Sequence, residues 1–557
     1  MKFLSLAFLA LSEVAAAATT PSRRADAATA GSWSPVLNLP LSPLSGALLP
    51  DGEILLWSGV SPGGWNSVVG GTQTNYVIVT ADQLLKQSPA IELKVTKNPE
   101  MFCPGTAVLP DGSILVNGGS GPEATIIFNM NTKTFSLGGL MNIPRGYNAN
   151  TLTTSDQVFT IGGSFARSYT DTRTGRKFGV GNKDGELWTQ GANGGTWKIS
   201  NPGSGNLIGG IEAGSTSPDP EGIYRSDNHA WLFPFRSNTG DDMIFHAGPS
   251  ARMHTINLSK GKVTGAGFRS TDPYSMNGNA VQYSPGRVFK VGGAPYYGNS
   301  NSSVGMPTSA AAFTITYTDL ASGGAVKVRS AGNMNFERSF GHVLALPGGK
   351  ILIVGGQSAI HLFSDTAGIL TPELYSPDTG VFTQLAPMAT ARNYHSLALL
   401  LKDGRVLLAG GGAAQNACKT PGVKPCSPST HFNAEIYTPP YLSAGQARPV
   451  IASASTGLTA TYGPRLQLGG TLTVKATGCG TGGCSYDLLR LHAATHSVDN
   501  DAARVPLQVA KRDATNGDQV NIFATDTAFV LSGYYYLFAI AANGTPSVAT
   551  IIQVTRT

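Results

Sequence analysis

A turn built on Asp-Gly or a relative, four or five mainly apolar residues, and then a Gly-Gly pair: this pattern recurs along most of the chain. It reads LPDGEILLWSG from Leu49, LPDGSILVNGG from Leu109 and TSDQVFTIGG from Thr154. It returns as SPGRVFKVGG from Ser284, LPGGKILIVGG from Leu346 and LKDGRVLLAGGG from Leu401. A weaker copy, DDMIFHAG, starts at Asp241. The turn dipeptide suits a hairpin. The apolar run suits a strand buried on both faces. The glycines at its end let neighbouring backbones approach closely. With 69 glycines, 13% charged and 41% hydrophobic residues, the chain has the balance of all-β structure with many turns.

Recurring four-stranded units that end in Gly-Gly are the kelch signature of a β-propeller. Residues 31–445 shared among seven blades give roughly 59 residues each, near the ~50 of a kelch unit with some long loops. We therefore expect a seven-bladed β-propeller over 31–445. An array of β-sandwiches would not explain the repeated spacing. After Tyr441 the repeat stops, and segments such as TLTVKA and YYYLFAI alternate with frequent turns. Residues 446–557 read as one immunoglobulin-like β-sandwich.

The N-terminus begins with Lys2, an apolar run from Phe3 to Leu11 and small residues from Ala15 to Ala18. That is a signal peptide over 1–18, followed by a pro-segment over 19–30, with Arg23-Arg24 as the second, pro-peptide cut. The run is too short to span a bilayer and Glu13 interrupts it, and no other stretch is long and apolar enough to do so. The expectation is a secreted, extracellular protein. Three sequons, at Asn257, Asn301 and Asn543, fit a glycoprotein. The net charge of +6 is spread out, and no basic block points to nucleic acid.

Secretion permits disulfides. Cys418 and Cys426 flank a short loop, and Cys479 and Cys484 flank GTGG. Two local disulfides are the simplest pairing, although spacing alone does not fix it. Cys103 is left over. It is either buried and inert or it has a special partner.

Two histidine contexts stand out: ARNYHSLALL with Tyr394-His395, and RLHAATHSVDND with His492 and His496. Phenolate and imidazole together suit copper or ferric iron. The ordinary reading of any single one is a core or surface histidine. The HxxxH spacing would need a helix to bind zinc, and its surroundings are strand-like. GCGTGG at Gly478 matches GxGxxG formally, but no helix follows it.

Six motifs, taken together and in order, carry a family resemblance: FCPG at Phe102, PRGY at Pro144, YRSDNHAWLF at Tyr224, ERSFGH at Glu337, RNYHS at Arg392 and ATHSVD at Ala494. Over most of residues 31–557 the chain resembles the galactose oxidase–glyoxal oxidase family of secreted copper radical oxidases. The resemblance implies one copper ion held by Tyr147, Tyr394, His395 and His496. It also implies a thioether joining Cys103 to Tyr147, which gives the lone cysteine its partner. The resemblance further implies oxidation of primary alcohols to aldehydes with O2 reduced to H2O2, Tyr394 acting as base and Tyr147 as the radical. An activating peroxidase is an implied partner, and the chain is expected to act as a monomer.

Departures from the family pattern bear on substrate. Phe165 stands where galactose-active members have a tryptophan. Tyr296, Tyr297 and Gly298 replace a polar sugar contact. Arg225 and Arg338 are candidates for reading hydroxyls, with Glu221 as a carboxylate and Phe363 as an aromatic wall. Fewer hydroxyl-reading groups favour aryl or aliphatic alcohols. Galactose 6-oxidation is the alternative, glyoxal-type aldehydes rank lower, and a non-enzymatic kelch binding module is the remaining reading.

Overall fold

The computed structural model describes residues 27–64, 71–163, 169–170, 177–178, 182–199, 229–269, 271–272, 274–295, 305–412, 429–443 and 445–556. The signal peptide expected over 1–18, Phe165, Glu221, Arg225, Tyr296, Tyr297, Gly298, Asn301, Cys418 and Cys426 lie outside these residues.

Seven antiparallel sheets form a β-propeller, and strands from Val450 to Thr555 form the immunoglobulin-like C-terminal domain. The innermost strands of the blades are Ser45–Leu48, Gly105–Val108, Ala149–Leu152, Trp231–Arg236, Asn279–Ser284, Ser339–Ala345 and Ser396–Leu400. The circle closes by mixing the two ends of the propeller. Ser32–Trp33 and Leu37–Asn38 pair with Asn433–Thr438, so early residues complete the seventh blade.

The Gly-Gly pairs do what their spacing implies. Each ends a blade's second strand where the segment leading into the next blade crosses over it. A Cβ on Gly292 would lie 2.2 Å from Arg338 O, and one on Gly355 would lie 2.3 Å from Arg392 O. The amides behind them close the crossing: Gly293 N–H donates to Arg338 O at 2.9 Å and Gly356 N–H to Arg392 O at 2.7 Å.

An arginine then fastens the crossing segment to its own blade. Arg145, Arg338 and Arg392 each donate to a strand-end glycine carbonyl, of Gly162, Gly355 and Gly410. Each also meets a buried carboxylate, Glu186 at 3.4 Å, Glu373 at 2.8 Å and Glu435 at 3.1 Å. The same carboxylates accept backbone N–H groups of the crossing segment, from Asn142 and Ile143, Asn335 and Phe336, and Ala389 and Thr390. A buried charge pair is tolerated when its remaining lone pairs and protons are satisfied in this way.

The C-terminal domain folds around its own core, which includes Leu466, Leu472, Val474, Leu488, Val520, Leu537 and Ile552. Cys479 and Cys484 are disulfide-bonded at its edge. From this domain a finger, residues 490–501, runs into the propeller and bonds to every blade. Ala493–Thr495 pairs with Ser45–Ala47 as an extra strand of the first blade. Arg490 and Asp501 grip Val108 O and N. Asn500 bonds to Asn150 O, Ala230 O and Leu232 N. Asn279 donates to Ser497 O, and Ser497 Oγ donates to Phe340 O. Leu400 N–H donates to His492 Nε2 at 3.2 Å. His492 also pairs with Asp499, so it fastens the finger to the seventh blade.

Candidate metal centre

One position recurs around the channel. Ahead of the Gly-Gly pair, the second strand faces an inner-strand residue, Gly105, Ala149, Asn279, His342 and Leu397 in blades two, three, five, six and seven, and in blade four, which has Ala247-Gly248 there, Trp231 faces Gly248 across a bulge. Two residues earlier stand Cys103, Tyr147, His229, Asn277, Phe340 and His395. All six have positive φ, at 57°, 61°, 55°, 58°, 57° and 65°. The first blade has Pro43 there. A left-handed conformation costs a non-glycine residue roughly 1–2 kcal/mol. It persists only where the surroundings over-determine it, and ahead of Tyr147, Phe340 and His395 the Arg–Glu anchors of the crossing segments do so. The reward is a backbone turn that aims successive blades' side chains at one point.

Five of the six converge there. Tyr147 N–H donates to Cys103 O at 2.9 Å and His229 N–H to Tyr147 O at 3.1 Å. The Cys103 thiol is buried, which pushes its pKa up, and it shares a hydrogen bond with the Tyr147 phenol. Tyr394 precedes His395 and its ring stacks on it, with centroids 3.8 Å apart. The Tyr394 and Tyr147 phenol oxygens are 2.7 Å apart. The finger supplies His496 from the opposite side, also with positive φ (51°). Its ring meets His395 edge-on at 4.7 Å and Tyr147 at 5.1 Å.

The two imidazoles are prepared as ligands. His395 Nδ1 donates to Gly412 O at 2.7 Å, which leaves the lone pair on Nε2. His496 Nδ1 contacts Thr495 Oγ1 at 2.6 Å, and Ser45 Oγ donates to that same oxygen at 2.7 Å. His496 Nε2 is buried and makes no hydrogen bond. Burial, and then the neighbouring His395 and His229, hold His496 well below its ordinary pKa, so the ring is neutral. Among the described residues, Cys103, His395 and His496 place a ligand atom each within 4.8 Å of one another. Two imidazoles with two phenols beside them are a donor set suited to copper, and hydrogen bonds on the far ring nitrogens are the usual support of such ligands.

A galactose oxidase of Gibberella zeae is 32% identical over 542 residues, which cover 94% of this chain and 71% of the relative. The chain belongs to the galactose oxidase family of copper radical oxidases. Glyoxal oxidase N-terminus matches residues 278–441, and the galactose oxidase-like early set domain matches 448–554. An aldehyde oxidase of Arabidopsis thaliana is 30% identical over 40% of this chain and 36% of its own length. A solved fungal alcohol oxidase, in complex with copper and described as showing catalytic diversity within the AA5 family, superposes with a TM-score of 0.78. It is 30% identical and covers 95% of this chain and 100% of its own.

The structure thus brings Cys103, Tyr147, Tyr394, His395 and His496 of this galactose oxidase relative to one point. Phe363 joins them, its ring 5.3 Å from Tyr394 and 5.6 Å from His395. Arg338 does not. Its guanidinium is fully buried among Gly355 O, Thr371 O and Glu373, the blade anchor described above, so it cannot read a substrate hydroxyl.

Sequence reasoning missed His229, which lies within the quoted YRSDNHAWLF motif. Its ring stacks on His496 at 5.5 Å with an 18° tilt and meets Tyr147 edge-on at 5.1 Å. Burial lowers its pKa to about 3, so it is neutral too. Phe102 and Phe340 were also missed as walls, at 5.2 Å from His395 and 4.8 Å from Tyr394. The signal that finds all three is the blade register, or the residue beside it.

Proposed function

We propose that this chain oxidises primary alcohols to aldehydes and reduces O2 to H2O2, using a thioether between Cys103 and Tyr147. The observation that carries this reading is the thiol held on the Tyr147 phenol beside Tyr394, His395 and His496. Tyr147, Tyr394, His395 and His496 would hold copper. When bound, copper would supply the acceptor for one of the two electrons the alcohol loses, and the modified Tyr147 ring the acceptor for the other.

The residues divide the remaining work. Tyr394 Oη receives the hydroxyl proton of the alcohol, as a positioned base. The Tyr147 radical takes a hydrogen atom from the carbinol carbon. The two electrons and two protons then go to O2, so RCH2OH + O2 gives RCHO + H2O2. The sulfur of Cys103 donates electron density into the ring and lowers the cost of the radical. Forming the thioether removes one hydrogen from sulfur and one from the ring, and O2 takes both with their electrons. Phe102, Phe340 and Phe363 keep water from the rings.

Apolar or aryl alcohols rank first as substrates, galactose second and glyoxal-type aldehydes third. A partner-binding kelch module has no use for this constellation. An activating peroxidase fits a radical that must be regenerated when lost. Secretion is part of the same reading, supported by the apolar N-terminal run and by the Cys479–Cys484 disulfide.

The test is a panel of benzyl alcohol, hydroxymethylfurfural, 1-butanol and galactose offered to copper-loaded protein, with peroxide and aldehyde quantified. Equal amounts of both are expected from at least one alcohol. No peroxide from any of them would overturn the proposal.

A further inference from the structure

A buried polar cluster that neither the metal centre nor the proton step uses lies at the junction of blades two and three, the blades that carry Cys103 and Tyr147. Asn148 follows Tyr147 directly. Its Nδ2 lies within hydrogen-bonding distance of three acceptors: Asn117 Oδ1 at 3.2 Å, Asn150 Oδ1 at 3.2 Å and Thr160 Oγ1 at 2.9 Å. Asn150 Nδ2 donates to the same Asn117 oxygen at 2.7 Å. Asn117 Nδ2 in turn meets Met141 Sδ at 3.0 Å.

The cluster touches both halves of the cysteine–tyrosine pair. Asn117 faces Gly105, two residues after Cys103. A Cβ on Gly105 would lie 2.6 Å from both Asn148 Nδ2 and Asn150 Oδ1, and one on Gly118 would lie 2.5 Å from Asn148 Oδ1. The backbone after Cys103 is thus pressed against the side chain after Tyr147. The repeat shows that a blade junction closes without such a cluster. The residue just ahead of the Gly-Gly pair is Asn117 in blade two, but Ile161, Val291, Val354 and Ala409 in blades three, five, six and seven, and all of them are buried. A buried carboxamide costs free energy that an apolar side chain avoids. What a hydrogen-bonded network supplies is rigidity and one fixed arrangement.

We propose that Asn117, Asn148 and Asn150 are positioning residues that hold the Cys103 sulfur against the Tyr147 ring so that the thioether can form. This rests on the oxidase reading above. The step makes one C–S bond and breaks one S–H and one ring C–H bond, and O2 accepts the two hydrogens with their electrons and becomes H2O2. The carboxamides exchange no proton or electron in it. They fix the approach of sulfur to ring carbon, and small displacements of reacting atoms cost much rate.

The test follows the cross-link in time. Full-length protein prepared without copper is loaded with copper anaerobically, O2 is admitted, and the joined Cys103–Tyr147 peptide is quantified by mass at intervals, per bound copper. Asn148→Ala and Asn117→Val are each expected to slow cross-linking by up to about 100-fold. The second places at 117 a side chain that blades five and six already accept there, so the fold is expected to stand. Arg338→Ala is the control. It weakens another blade and touches none of the three asparagines, so its folded fraction is expected to cross-link at the wild-type rate. Slowing confined to the asparagine variants is the predicted result. Wild-type rates in both of them, or the same slowing in Arg338→Ala, overturn the positioning role and leave the oxidase standing. A wild type that never joins the two peptides overturns both.

Discussion

The phenol oxygens of Tyr147 and Tyr394 lie 2.7 Å apart, although 247 residues separate them in the chain. At that distance one phenol donates its hydrogen bond to the other, so the two oxygens face a common point. Replacing Tyr394 with Phe removes the proton acceptor and leaves Tyr147 in place. Alcohol oxidation is expected to fall about 100- to 10,000-fold, the usual range for a lost general base, while the radical absorption persists. Tyr147→Phe is expected to abolish both. Optical spectra recorded beside peroxide assays separate the two cases.

Thr495 offers a test of the ligand geometry that does not touch a ligand. Its hydroxyl holds His496 Nδ1 at 2.6 Å. Thr495→Val should weaken copper binding about 10- to 100-fold, the usual effect of removing a ligand's outer hydrogen bond. His496→Ala should reduce bound copper to background. Competition titration against a chelator measures both, and wild-type affinity in Thr495→Val would count against the assignment of His496.

Arg338 should behave as a structural residue. Its carboxylate partner Glu373 is buried with it, at 2.8 Å. Breaking one side of such a pair costs about 3–5 kcal/mol. Arg338→Ala is therefore expected to lower the midpoint of urea unfolding, with KM for galactose unchanged in the folded fraction. An altered KM at undiminished stability would restore it as a substrate contact.

Acid should loosen the fold through its buried histidines. His342 bonds to Ser396 Oγ at 2.8 Å, and burial lowers its pKa from 6.5 to about 4. The unfolded chain therefore takes up its proton first, near pH 6.5, and the folded chain only near 4. Stability is fully present above 6.5 and falls between 6.5 and 4, by about 3 kcal/mol for a shift of this size. His342→Gln should flatten that slope in denaturant titrations of copper-free protein. An equal slope in the variant would assign the loss to other groups.

Much of this was legible in the sequence because the repeat repeats its physics. The Asp-Gly turn and the Gly-Gly crossing mark the blades, and the crossing fixes where Tyr147, His395 and Cys103 point. What the repeat hid was its own regularity. His229 and Phe340 occupy the same blade position as Cys103 and His395, yet no local pattern announces a left-handed turn at a histidine or a phenylalanine. Arg338 misled for the opposite reason. An arginine in a functional-looking motif can serve the blade, and only the buried Glu373, 35 residues on, tells the two roles apart. The finger's bonds to all seven blades depend on residues such as Asn500 and Ser497, whose partners lie hundreds of positions away.

Peptide mapping of aerobically copper-loaded protein probes the centre most directly. After denaturation, reduction and alkylation, the account predicts that the peptides containing Cys103 and Tyr147 are recovered joined, lighter by two hydrogens than their sum, with Cys103 unavailable to the alkylating reagent. An alkylated Cys103 and a separate, unmodified Tyr147 peptide from protein that turns over alcohol would contradict it.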